Sequence, residues 1–133
     1  MRVVVVGGSF GGMTTAYELR KKLAADECQI TVISKDRRFT FIPSLPWVTM
    51  GWRDLDKISF DLEAPLARRD IQFVEASVRR IDPGAKTVIT DRETLSYDYL
   101  VLATGHRSAN EAVPGPGPFD GPGHSPHVAG RGG

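Results

Sequence analysis

Six residues near the N-terminus, Gly7-Gly8-Ser9-Phe10-Gly11-Gly12, have the types and spacing that could do chemistry. They follow Val3-Val4-Val5-Val6, an unbroken β-branched run of the kind buried on both faces of a parallel sheet. They precede a segment in which Met13, Ala16, Leu19 and Leu23 recur at helical spacing. A strand, a glycine-rich turn and a helix N-terminus together make an anion site, because the first N–H groups of a helix lack intrahelical acceptors and its dipole is positive there. The dipole contributes only about 0.3–1 kcal/mol at an exposed end, so affinity requires several N–H groups acting together. The spacing fits the GxGxxG turn that cradles a pyrophosphate, with Gly7 for the turn and Gly12 for close helix–strand packing. Ser9 stands at the middle glycine position. Its CH₂OH group crowds a phosphate but also offers it a hydroxyl donor. Gly8, Phe10 and Gly11 complete the turn.

A second candidate group lies where the next strand should end. In dinucleotide sites an acidic residue about 20 residues past the turn holds the adenosine ribose. Here Ser34 takes that place, followed by Lys35, Asp36, Arg37 and Arg38. Ser34, with Lys35 beside it, could hydrogen-bond the ribose, and Asp36 could reach it. The basic residues could instead receive a 2′-phosphate, or Arg37 and Arg38 could be a solvated loop.

The elements that must position these groups follow from the same pattern. A strand over residues 3–6, a helix to about Ala25 and a strand over 28–34 form a βαβ unit, whose crossover should be right-handed. Glu18, Arg20, Lys21 and Lys22 are expected on the solvent side of the helix. Residues 39–47 are apolar and aromatic, but Pro43 and Pro46 bar a central strand. An ordered loop with a helical turn near 47–51 is expected. Asp61 should cap a short helix running through Arg69, with Pro65 in its first turn. Residues 71–75 read as a third strand. Residues 78–81, 86–90 and 94–96 read as an antiparallel meander turned at Pro83-Gly84 and Asp91-Arg92. Tyr99-Leu100-Val101-Leu102-Ala103 is a second fully apolar strand, stopped by Thr104-Gly105. The expected fold class is α/β: a Rossmann-like, three-layer nucleotide-binding half-domain with a parallel sheet and a three-stranded meander, incomplete at the C-terminus.

Composition bounds the function. The 133 residues allow one domain. A net charge of +1 provides no bulk field toward nucleic acid, and no apolar run approaches the ~20 residues of a spanning helix. The 41% hydrophobic content suffices for a core. A lone cysteine, Cys28, excludes a disulfide framework and a Cys-rich metal site, and no metal site is expected. It reads as a small core hydrophobe. His124 and His127 are three apart but have no further ligands nearby, and His106 reads as a solvent-facing loop residue. With four valines but no longer apolar stretch after Arg2, no signal peptide is evident, and a reduced, cytoplasmic chain is expected. Residues 114–133 hold seven glycines and five prolines, a composition expected to be disordered. The expected organisation is a nucleotide-binding domain over residues 1–113 and a Gly/Pro-rich tail over 114–133.

The strand end Ala103-Thr104-Gly105, reached through a meander that follows a glycine turn, resembles the FAD domain of the flavoprotein disulfide-reductase superfamily. A simple NAD(P) domain would not insert a meander there, which favours FAD over NADP. Within the superfamily, Phe41-Ile42-Pro43-Ser44-Leu45-Pro46-Trp47-Val48 followed by Gly51-Trp52 resembles the sulfide:quinone oxidoreductases. The resemblance covers residues 1–113, about the first third of such an enzyme. It implies FAD across the strand ends: Gly7, Gly8, Ser9, Phe10, Gly11 and Gly12 at the pyrophosphate, and Ser34 and Lys35 at the ribose. It puts the backbone of Val78 at the adenine and Ala103, Thr104 and Gly105 beside the cofactor. Pro43 and Trp47 would approach the flavin, although Trp47 and Trp52 could serve packing alone. It further implies sulfide oxidation through cysteine persulfides with quinone as acceptor, and membrane contact only through C-terminal helices.

This sequence departs from that pattern. Where a redox cysteine should follow the Ala103-Thr104-Gly105 end, the chain reads Gly123-His124-Ser125-Pro126-His127-Val128. No catalytic residue is therefore assigned, and this chain is expected to lack turnover. A type II NADH:quinone dehydrogenase relative, a binding module for FAD or a nucleotide, and a truncated non-functional fragment are the alternatives. The 99–103 strand is expected to present an open apolar edge through which the chain self-associates.

Overall fold

A computed structural model describes residues 1–106. The tail over 114–133, with His124 and His127, lies outside the described residues. The chain divides into two units, one of Met1–Phe39 with Phe60–Gly105, and one that includes Thr40–Ser59 and His106.

The first unit begins with strand β1 (Arg2–Val6), helix α1 (Phe10–Lys22) and strand β2 (Gln29–Ser34). Two short strands follow, β3 (Arg38–Thr40) and, after the second unit's residues, β4 (Ser59–Asp61). The remaining helices are α2 (Leu45–Thr49), in the second unit, and α3 (Glu63–Ala67). Strand β5 (Ile71–Glu75) precedes the meander of β6 (Val78–Asp82), β7 (Thr87–Thr90) and β8 (Thr94–Ser96), and β9 (Tyr99–Leu102) ends the unit.

Strands β5-β2-β1-β9 form an all-parallel sheet in that order. Because side chains alternate along a strand, the valine run serves two cores at once. Val3 and Val5 face one core with Ile30, Val32 and Ile71, covered by Met13 and Ala16 of α1 and by Leu62 and Leu66 around α3. Val4 and Val6 face the other with Ile33, covered by Val88 and Tyr97 of the meander region. Helices, parallel sheet and meander are the three layers expected from sequence. Cys28 is buried in the first of these cores, as expected of a small hydrophobe.

Four local expectations are corrected. Helix α1 stops at Lys22 rather than near Ala25, because Leu23 is already extended (φ −124°, ψ 126°). Arg20 is not on the solvent side: its guanidinium donates to the carbonyls of Leu23, Cys28 and Asp70 at 3.2, 2.9 and 2.9 Å. The 39–60 region is not only loop, since β3 and β4 form a two-stranded sheet. Proline bars a strand only beyond Thr40, and Phe39 finds ring partners in Phe10 (5.0 Å, edge-on) and Phe60 (4.9 Å, stacked). Finally, α3 ends at Ala67 and Leu62, not Asp61, occupies its N-cap position. Asp61 still accepts the Glu63 N–H at 2.8 Å, so it satisfies a first-turn donor from one residue further back.

The second unit is a run of short turns: a 3-10 segment at Ile42–Ser44, then α2, then a 3-10 segment at Leu55–Ile58. The Trp47 carbonyl accepts the N–H groups of Trp52 at 2.8 Å and Arg53 at 3.2 Å, and the Arg53 guanidinium lies 5.2 Å from the Trp47 ring centre. Trp47 is 42% exposed and Trp52 69%.

Candidate functional site

The glycine turn is held by the ends of three strands. The Gly7 N–H donates to the Ile33 carbonyl at 2.8 Å, and the Ala103 N–H donates to the Val6 carbonyl at 2.8 Å. Gly7 adopts φ +122°, a conformation L side chains avoid, and a Cβ there would overlap the Ala103 carbonyl. Gly12 is closed off in the same way by the Gly7 carbonyl oxygen. These two glycines therefore do what their spacing predicted: one turns the chain beside β9, and the other lets α1 seat against the end of β1. Gly8 is enclosed as well, since a Cβ would come within 2.8 Å of Leu62 Cδ1 and Ser34 Cβ.

The helix end left by this turn is open to an external acceptor. Ser9 is the N-cap of α1, extended at φ −96°, and its hydroxyl makes no capping hydrogen bond. No acidic residue occupies the first turn of α1. The Ser9 carbonyl accepts the Met13 N–H at 2.9 Å and so closes the first turn of the helix, whose preceding residues Gly11 and Gly12 belong to the positions that an α-helix leaves without intrahelical acceptors. Ser9, Phe10 and Gly11 are all exposed. A cradle that side chains would fill, an uncapped helix N-terminus and an exposed hydroxyl are the donor set a pyrophosphate needs. A groove of about 560 Å³ runs from this end along the outer face of α1, past Phe10, Thr14 and Leu19 to Lys22.

Ser34 ends β2 beside the turn. Its carbonyl accepts the Ala76 N–H at 2.9 Å and its Oγ accepts the Asp36 N–H at 3.3 Å, so the hydroxyl hydrogen remains available to a ligand. Lys35 is exposed. The Arg37 side chain is about half exposed and paired: its Nε donates to Asp61 and its Nη2 to Glu63. The Arg37 guanidinium, through its hydrogen bond, holds the Asp61 carboxyl below the usual carboxylate value. At the far end of the sheet, the Arg2 N–H donates to Asp98 Oδ2 at 2.6 Å and depresses that carboxyl likewise.

Val78 is half-buried and pairs with Thr90 next to a bulge in the β6–β7 register. Ala103, Thr104 and Gly105 follow β9, with Gly105 at φ +73°. The first unit thus brings together Gly7, Gly8, Ser9, Gly12 and Ser34, with Ala103 against Gly7. Pro43 and Trp47 belong to the second unit, where both are exposed, as is His106. Sequence reasoning missed Leu62 as a wall of the site and the carboxylate partners of Arg37. Asp61-Leu62-Glu63 carried no motif that could have exposed them. Among the described residues no helix is long and apolar enough to cross a membrane, and no cluster of three or more His, Cys, Asp or Glu could hold a metal.

Comparisons with known proteins show the family and the fold. The profile of the pyridine nucleotide-disulphide oxidoreductase family matches residues 1–128. The sulfide-quinone reductase of Aquifex aeolicus is 43% identical over 104 residues, covering 77% of this chain and 24% of that protein. The crystal structure of the sulfide:quinone oxidoreductase from the same bacterium superposes with a TM-score of 0.74 at 44% identity, over 80% of this chain and 24% of that one. The type II NADH:quinone oxidoreductase of Staphylococcus haemolyticus is 31% identical over 114 residues, 86% of this chain and 28% of that protein. The chain therefore spans about a quarter of the length of the relatives it matches.

Proposed function

The chain belongs to the pyridine nucleotide-disulphide oxidoreductase family, a family of flavoprotein oxidoreductases, and on that premise we propose that it binds FAD through the glycine turn and serves the sulfide:quinone oxidoreductase reaction. The observation that carries this reading is the N-terminus of α1, where the Ser9 hydroxyl makes no capping bond, beside Gly7 and Gly12, two positions closed to any side chain. Backbone N–H groups of Gly11 and Gly12 and the Ser9 hydroxyl bind the pyrophosphate, with Gly8 and Phe10 lining the turn. Ser34 donates to the ribose, Lys35 stands beside it, and the Val78 backbone meets the adenine. Ala103, Thr104 and Gly105 border the cofactor. For Pro43 and Trp47 a flavin-facing role rests on the family resemblance alone. Bound FAD supplies two-electron chemistry, accepting from sulfide and delivering to quinone in the whole protein.

The 133-residue chain by itself binds FAD without turning sulfide over, because its single cysteine is 1% exposed and out of reach of a substrate. Residues 1–113 act as the nucleotide-binding domain and 114–133 as a tail. The protein works in the cytoplasm, and the isolated chain self-associates through the β9 edge. A type II NADH:quinone oxidoreductase activity is the second reading, favoured by the 31% identity over 114 residues. Reduction of the whole protein's flavin by NADH but not by sulfide would select it.

Titrating FAD into the chain, with FMN in parallel, tests the binding claim. FAD fluorescence should quench to saturation, while FMN, lacking the adenosine diphosphate half, should not respond. Absence of any FAD response would overturn the reading.

A further inference from the structure

Two turns meet beside Gly8. One follows β2 and carries Ser34 to Arg37, and the other joins β4 to α3 and carries Asp61 to Glu63. The Arg37 carbonyl accepts the Leu62 N–H at 2.9 Å, while its guanidinium donates to the carboxylates of Asp61 and Glu63 on either side of Leu62. Asp61 in turn accepts the Glu63 N–H through its other oxygen. Leu62 is fully buried, and its Cδ1 stands with Ser34 Cβ and Oγ against Gly8.

We propose that Arg37 is a positioning residue of the nucleotide site: it clamps the Asp61–Glu63 turn onto the β2 end, so that Leu62 and Ser34 form a fixed wall against Gly8. The inference rests on the FAD reading above for what the wall faces. Arg37 acts without touching the nucleotide, since its Nε and Nη2 are given to the carboxylates of Asp61 and Glu63. Its charge is matched twice over, so it offers no surplus for a 2′-phosphate. Exposed ion pairs contribute little to global stability, and the pairs here are about half exposed. The clamp therefore acts on local order at the site rather than on whether the domain folds.

The test compares Arg37→Ala, Arg37→Lys and Asp61→Asn/Glu63→Gln with the unchanged chain. Affinity is read with FAD, ADP and 2′-phospho-ADP, and local order by amide hydrogen exchange without ligand. Arg37→Ala should weaken FAD and ADP by about tenfold, the low end of what supporting residues contribute at metal sites. It should weaken 2′-phospho-ADP by the same factor, with the thermal midpoint nearly unmoved. Arg37→Lys should recover part of the loss, and adding Arg37→Ala to the double carboxylate variant should cost little more. Exchange of the Leu62 N–H should accelerate, while that of the β1 amides should not. A loss confined to 2′-phospho-ADP would make Arg37 a direct phosphate ligand and overturn the proposal. Unchanged exchange at Leu62 would overturn it too. Faster exchange in a chain that binds no FAD would instead leave the clamp standing and remove the FAD reading.

Discussion

Gly12 lies directly against the carbonyl oxygen of Gly7, with no space between them for even one methyl group. That contact sets the approach of α1 to the end of β1, and so aims the helix N-terminus across the strand ends. Gly12→Ala would gain up to about 1 kcal/mol of helix propensity. Overlap with rigid backbone should cost about 1–3 kcal/mol or more and win. Gly11→Ala is the control, because its Cβ would sit at an ordinary 3.5 Å from Ala103 Cβ. Urea midpoints should fall for Gly12→Ala and hold or rise for Gly11→Ala.

Ser9→Asp should separate stability from binding. A carboxylate at the uncapped N-terminus should stabilise α1 by about 0.5–1 kcal/mol, through capping and the dipole together. The same charge occupies the pyrophosphate position, so FAD affinity should drop at least about tenfold by like-charge repulsion. Thermal melts and fluorescence titrations of one sample report both. A variant that gains stability and binds FAD unchanged would place the pyrophosphate elsewhere.

Acid should loosen the contacts of Asp61 and Asp98, at Asp61 in the local order of its turn and at Asp98 in the tie between β1 and the start of β9. Both carboxyls are held below their ordinary values, Asp61 chiefly by the Arg37 hydrogen bond and Asp98 chiefly by the Arg2 backbone N–H. A folded-state value below the unfolded one means the stabilisation is present above about pH 4 and is lost as pH falls through the folded-state value. Denaturation midpoints between pH 6 and pH 2 should therefore fall slightly less steeply in Asp98→Asn than in the unchanged chain, while for Asp61 the acid effect should appear as faster exchange of the Leu62 N–H with little change in the midpoint.

Cys28 should behave as packing rather than as chemistry. It is 1% exposed, with Sγ 3.8 Å from the Gln29 carbonyl. A thiol reagent should react with it only after denaturant is added. Cys28→Ala should leave FAD affinity unchanged and cost roughly 1 kcal/mol of stability, as small core truncations do.

The outer edge of β9 should drive self-association. Among the described residues β9 pairs only with β1, and Tyr99 and Leu102 are 62% and 61% exposed. An apolar, uncharged strand edge is a template for pairing. Size-exclusion at tens of micromolar should show species larger than a monomer, shifted toward monomer by Leu102→Lys. A sharp monomer peak from the unchanged chain would rule the edge out.

What the sequence alone determined were the features whose signal is local. The valine run, the glycine turn, the helical period after it, the meander and the apolar β9 strand each announce themselves within a few residues, because periodicity and turn chemistry act at short range. The candidate residues Gly7, Gly12 and Ser34 were legible for the same reason. Only the tertiary structure decided who meets whom. Arg37 finds Asp61 and Glu63 across 24 and 26 residues, and Arg20 reaches Asp70 across 50. Charged residues look alike in a sequence whether solvated or clamped; their pairing depends on where parallel crossovers return the chain. The same holds for Phe10 of α1, Phe39 of β3 and Phe60 of β4, whose rings meet across separate elements of the chain. Pairing energies of this kind exist only after the sheet order is set, so no local pattern carries them.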